Sequence, residues 1–135
     1  MYRHTNTPPL FDRIDPRLPT PLYAQIAHAV RAAIAAGDLQ AGDGLPSVRA
    51  LAGQLRVNPA TVVQAYRQLE TDMLIEMRQG AGSFVRDIPP ARHQEERHAE
   101  FRRRIAEALD DAARLGLAPD AVRQLVKDEL DRRFS

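Results

Sequence analysis

The stretch VNPATVVQAYRQL, Val57 to Leu69, sets a proline, which breaks helices, directly before apolar residues at helical spacing. The asparagine in front resolves the conflict. Asn58 is of a type that caps helices well, and proline is tolerated in a first turn because its missing N–H would have no partner there. The pair predicts a helix start. At about 100° per residue, Val62, Ala65, Tyr66 and Leu69 point one way, while Ala60, Gln64 and Arg67 point the other, flanked by Thr61, Val63 and Gln68. The first set, Tyr66 included, is the expected core face, and only the second is free to touch something. Small and amide-bearing side chains near its start suit close approach and hydrogen bonding, where a solvated surface helix more usually carries Glu and Lys.

Working outward, Thr20 and Pro21 have the form of a cap and a first helical residue, followed by Leu22, Ile26, Ala29, Val30, Ala33 and Ile34 on one face. Gly37 closes that helix and GDLQAGDG reads as a turn. Ser47 then caps a short helix that turns Leu51, Ala52 and Leu55 inward. Only Arg56 and Val57 separate this helix from the next, so the two must cross steeply, in helix-turn-helix geometry. After Leu74, IEMRQGAGSFV reads as a hairpin with a glycine-bearing tip. The expected fold is mainly α with a small β wing: a winged helix-turn-helix over residues 20–86.

Residues 1–19, with Pro8, Pro9, Pro16 and Pro19 and no apolar period, are expected to be an extended or disordered arm. DIPPAR supplies a stiff linker, 87–91. Residues 92–135 carry two amphipathic patterns, one marked by Phe101, Ile105, Ala108, Leu109 and Ala112 and ending near Gly116. The other starts at Pro119 and is marked by Val122, Leu125, Val126, Leu130 and Phe134. Two such helices cannot enclose a core alone. They are expected to form a C-terminal two-helix dimerisation segment, with Phe101, Ile105, Leu109, Val122, Leu125, Val126 and Leu130 at its interface.

The chain has 135 residues, room for one domain or for one small domain with an appendage, and no apolar run or leader that predicts a membrane span or export, so a cytoplasmic location is expected. With no cysteine, disulfides, thiolate metal sites and cysteine nucleophiles are excluded. A formal net charge of +1 and the lack of a basic block give no hint of nucleic acid. Lys127 is the single lysine; arginine dominates, which suits bidentate contacts to phosphate or guanine, although a GC-rich genome produces the same bias. His4, His28, His93 and His98 lack ligand spacing, Ser47, Ser83 and Ser135 lack motif partners, and the GxG at 80–82 is too short for a phosphate loop. No metal, cofactor or catalytic group is expected.

PLYAQI from Pro21, LPSVR from Leu45, NPATV from Asn58 and GAGSFV from Gly80 together resemble the GntR family of bacterial transcription regulators, over about half the chain. The short helical tail resembles, more loosely, that of its YtrA subfamily, in which two helices used for dimerisation replace a large effector domain. The resemblance implies a homodimeric repressor that binds a palindromic operator in double-stranded DNA and controls its own operon and genes for ABC-type transporters. It places DNA contacts at Ser47 and Arg49, at Asn58, Ala60, Thr61 and Gln64, and at Gly80 and Gly82 with their neighbours. Three positions depart from the pattern: Gly44 before LPS, Met73 where glycine is usual after the third helix, and Val63 where several relatives carry arginine.

Within that frame each side chain has a physical role. Arg49 is placed to clamp a phosphate or donate to guanine, Gln64 to read adenine, Thr61 to offer a hydroxyl to phosphate or a methyl to thymine, and Arg67 lies on the same outward face. The Asn58 oxygen is occupied by capping, so a DNA role would use its amide nitrogen or nearby backbone. Gly80 and Gly82 satisfy turn geometry and would admit close backbone approach to a minor groove, helped by Arg78 and Gln79. Two heads spaced about 34 Å apart multiply the specificity of one helix. Two other functions compete with this one. A pyridoxal-phosphate enzyme, as in some relatives, needs several hundred more residues and a Schiff-base lysine, and a protein-interaction module would need an apolar outer face. An unidentified small-molecule effector is an open partner, with no polar cluster to mark its site.

Overall fold

The computed structural model describes residues 10–134. The beginning of the arm, with His4, and the terminal Ser135 lie outside them. Helices α1 (Leu22–Ala36), α2 (Val48–Leu55) and α3 (Pro59–Thr71) precede strands β1 (Ile75–Arg78) and β2 (Gly82–Val85), and helices α4 (Pro90–Arg114) and α5 (Pro119–Phe134) come after them. The fold is a winged helix-turn-helix with a helical tail, and the chain divides into two compact units between Arg97 and His98.

In the first unit, α3 packs on α1 and α2 through the face its spacing marks out: Val62, Ala65, Tyr66 and Leu69 are fully buried, against Ile26, Val30 and Leu51. Val62 and Leu69, like Ile26, Val30 and Leu51, each contribute about 1.5–3 kcal/mol on full burial. Tyr66 is core, and its hydroxyl donates to the Pro46 carbonyl at 2.7 Å, tying α3 to the chain that enters α2. Gly37 ends α1 at φ 84°, a left-handed cap that glycine adopts without a Cβ penalty.

Three local expectations are corrected. Thr20 does not cap α1, which begins at Leu22 with Pro21 as its flanking residue. Instead the buried Gln25 side chain donates to the carbonyls of Thr20 (2.8 Å) and Asp15 (2.9 Å) and accepts from the Asp15 N–H (2.8 Å). This cross-brace folds the later arm onto the head. There Phe11 enters the core at 6% exposure, with Leu10 and Ile14 beside it, so the segment from residue 10 is neither extended nor detached. The expected linker is also too long, because α4 already contains Pro90 and Ala91. A proline at a first helical position lacks only an N–H that would have gone unpaired, so the Pro89–Pro90 pair launches the helix.

The wing hairpin pairs Ile75 with Val85 and Arg78 with Gly82, antiparallel. The expected turn before α2 also supplies a third edge. Gly44 bridges to Phe84, Gly42 N–H donates to Val85 O at 2.8 Å, Val85 N–H to Asp43 O at 2.9 Å, and Leu45 N–H to Ser83 O at 2.8 Å.

In the tail, α4 and α5 have no buried residue. Their polar surface is laced by pairs three and four residues apart, among them Arg103 and Arg104 with Glu100, and Lys127 with Asp131. Burial pushes the Glu100 carboxyl up, but hydrogen bonds from Arg103 and Arg104 outweigh it and hold the group below its ordinary range.

Candidate nucleic-acid interface

The surface built from α2, the turn and α3 begins with two caps. Ser47 Oγ accepts the Ala50 N–H at 3.0 Å and starts α2; Asn58 Oδ1 accepts the Ala60 N–H at 2.9 Å and starts α3. Each oxygen thereby commits one lone pair to its helix, and the Ser47 hydroxyl proton and the Asn58 amide nitrogen are left as donors for a ligand.

From Ser47 to Leu69 the chain contains no acidic residue but carries Arg49, Arg56 and Arg67. All three are exposed, and none forms an ion pair with any described residue. In the tail, Arg103, Arg104, Arg114, Arg123, Arg132 and Arg133 are paired with carboxylates, Arg102 being the exception among the described residues. The stretch therefore presents three exposed cations with no carboxylate of its own beside them, although the chain is nearly neutral. An anionic polymer would gain charge-assisted hydrogen bonds there without displacing an internal partner.

Ala60, Gln64 and Arg67 are exposed on α3, and Thr61 and Val63 are half-buried beside them. Arg56, which local spacing marks only as a residue between two helices, belongs with this group. It caps α2 at φ 57°, and the Val57 N–H beyond it donates to Ala52 O at 3.0 Å. Its signal is the run without acids, visible only when charge is counted by segment.

On the wing, Arg78, Gln79, Gly80 and Gly82 are exposed at the tip. Gly80 and Gly82 adopt φ 76° and 112°, backbone that side-chain-bearing residues avoid. Arg78 is not a free cation like Arg49. Its guanidinium lies 4.6 Å from the centre of the Phe84 ring and pairs with Glu76 at 3.4 Å.

The residues expected at a dimer interface lie in the second unit. Phe101, Ile105, Leu109, Leu125, Val126 and Leu130 are 44–64% exposed, and Val122 is half-buried. Among the described residues no group of three or more His, Asp or Glu is placed to hold a metal ion, and no helix is long and apolar enough to cross a membrane.

Comparison with known proteins agrees with this geometry. Residues 22–85, from α1 through the wing, match the family described as bacterial regulatory proteins, gntR family. The similarity extends beyond the head: the chain is 31% identical over 116 residues to the HTH-type transcriptional repressor YtrA of Bacillus subtilis, spanning 86% of this chain and 89% of that one. The chain belongs to the GntR family. Among solved structures, a GntR family transcriptional regulator from Listeria monocytogenes superposes with a TM-score of 0.60 at 32% identity, over 82% of this chain and 96% of that one. YtrA from Sulfolobus acidocaldarius, described as a GntR-family transcription factor, gives 0.52 at 30% identity, over 91% and 99%. This GntR-family chain is a DNA-binding transcription regulator of the YtrA-like kind and not an enzyme.

Proposed function

We propose that the protein is a homodimeric repressor that binds a palindromic operator and controls its own, ABC-transporter-type operon in the bacterial cytoplasm. The observation that carries the DNA-binding face is the acid-free stretch from Ser47 to Leu69 with its three unpaired arginines. Arg49 and Arg67, with Arg56, engage phosphate or guanine; Gln64, Thr61 and Ala60 meet base edges; Ser47 and Asn58 fix the entry of their helices and donate to phosphate. Arg78, Gln79, Gly80 and Gly82 bring the wing to the adjacent groove. The relative from Bacillus subtilis is named a repressor, which supports that direction of control. Pairing through the tail is supported by the exposed apolar residues of α4 and α5. The exposed face of α3 is polar, which disfavours a winged-helix protein-interaction module.

A gel shift with the promoter of the protein's own operon, against excess unrelated duplex, tests the proposal. Wild type is expected to give a specific complex that Arg49→Ala abolishes while the assembly state is unchanged. Retained affinity in Arg49→Ala removes that residue from the interface, and no specific complex with wild type refutes control of this operon.

A further inference from the structure

Four charged side chains from three elements converge where the third helix ends. Arg31 of α1 donates through Nη1 to Asp72 Oδ2 at 2.6 Å and through Nη2 to Glu96 Oε2 at 3.2 Å. Arg92 of α4 donates through Nη2 to the Asp72 carbonyl at 2.8 Å and through Nε to the same Glu96 oxygen at 3.4 Å. Asp72 is the residue that caps the C-terminus of α3, and its carbonyl is among those left without a helical donor. Glu96 is the most enclosed member, its side chain 12% exposed.

Two cations and two anions cancel, so the cluster adds no net attraction for DNA. It also lies at the opposite end of α3 from Asn58, roughly 21 Å away at 1.5 Å per residue, outside the expected contact surface. Isolated surface pairs contribute little to stability. A network that joins two helices of the head to the first two turns of α4, through a backbone carbonyl as well as side chains, instead restricts the rotation and tilt of those turns.

We propose that Arg31, Asp72, Arg92 and Glu96 form a positioning clamp that fixes the root of α4 to the end of α3 and thereby restricts the operator to one half-site spacing. This rests on the twofold reading of the operator. Half-sites in a palindrome recur once per helical turn of about 10–10.5 base pairs, so each added base pair rotates one site by about 35° relative to the other. A joint free to swivel would accommodate that rotation; a clamped one cannot.

The test selects duplexes from a random-sequence pool with the wild-type full chain. Binding is then measured by fluorescence anisotropy to the best twofold duplex and to versions with one or two base pairs added or removed between half-sites. Wild type is expected to lose about 100-fold at altered spacing, the share contributed by simultaneous engagement of the second head. The double variant Arg92→Met/Glu96→Gln is expected to lose less than about tenfold, while binding an isolated half-site within about twofold of wild type. Arg92→Lys, which retains a donor for the carbonyl, should restore wild-type discrimination. The single variant Arg92→Met keeps both Arg31 pairs and guards against a folding defect, and it should show an intermediate profile. A spacing profile in the double variant indistinguishable from wild type overturns the clamp. Failure to enrich any twofold duplex instead refutes the operator reading beneath it.

Discussion

Replacing Met73 by glycine should stabilise the head. Helix α3 ends in a Schellman arrangement: Met73 N–H donates to Glu70 O at 2.9 Å and Leu74 N–H to Leu69 O at 3.0 Å. The residue at the bend must be left-handed, and Met73 adopts φ 61° there with 57% of its surface exposed. A side chain in that region costs about 1–2 kcal/mol. Glycine avoids this but gives back about 0.5–1 kcal/mol through the greater freedom of the unfolded chain. So exposed a methionine loses little burial when removed, and the net gain is about 0.5–1 kcal/mol, or roughly 2–8 °C in midpoint for a unit of this size. Urea unfolding of the full chain monitored by tyrosine fluorescence reports the head alone, since no tyrosine lies beyond Tyr66. The midpoint should rise in Met73→Gly with an unchanged slope. Met73→Ala is the decisive control, because alanine keeps the Cβ that strains the bend. Equal stability of the glycine and alanine variants would refute the strain at this position.

Tyr66→Phe deletes the 2.7 Å bond to the Pro46 carbonyl without opening a cavity, and should lower head stability by about 1–2 kcal/mol in the same urea assay. In the tail, Glu100 has a folded carboxyl below its unfolded value of about 4.3, so its contribution is complete above that pH and is lost as pH falls through the folded pKa. Helicity measured by circular dichroism should therefore drop on acidification below about pH 4, less so in Glu100→Gln, in which this carboxylate cannot titrate. Ile105→Glu with Leu125→Glu places charge on exposed apolar positions and should leave the fold intact while yielding monomers in sedimentation. A variant that still sediments as a dimer would move the interface elsewhere.

The elements legible in the sequence are those whose signal is local. Val62, Ala65, Tyr66 and Leu69 repeat at helical spacing, Ser47 and Asn58 stand at their caps, and Gly80 and Gly82 mark the hairpin tip, so α2, α3 and the wing can be read from neighbours in the chain. The features that escape such a reading depend on distance or context. Phe11 and Ile14 show no period because an irregular arm, braced by Gln25, carries them to the core. Pro89 and Pro90 look like a break, yet whether a proline stops or starts a helix depends on the residues C-terminal to it. The edge at Gly44 exists only where β2 passes alongside. At the candidate DNA face, the residue types are readable but their state of pairing is not. Arg49 and Arg78 look alike in sequence, and only the fold shows one unengaged and the other held by Phe84 and Glu76.

The brace around Gln25 also bears on where the head can be cut. The matched family region opens at Leu22, which invites preparation of a recombinant fragment trimmed to that residue. Such a fragment would lack the aromatic plug at Phe11 and would leave the Gln25 amide without its carbonyl partners at Asp15 and Thr20. The smallest self-sufficient reader of DNA in this chain therefore starts upstream of its recognisable signature, and a minimal fragment should retain the sequence from Leu10 onward.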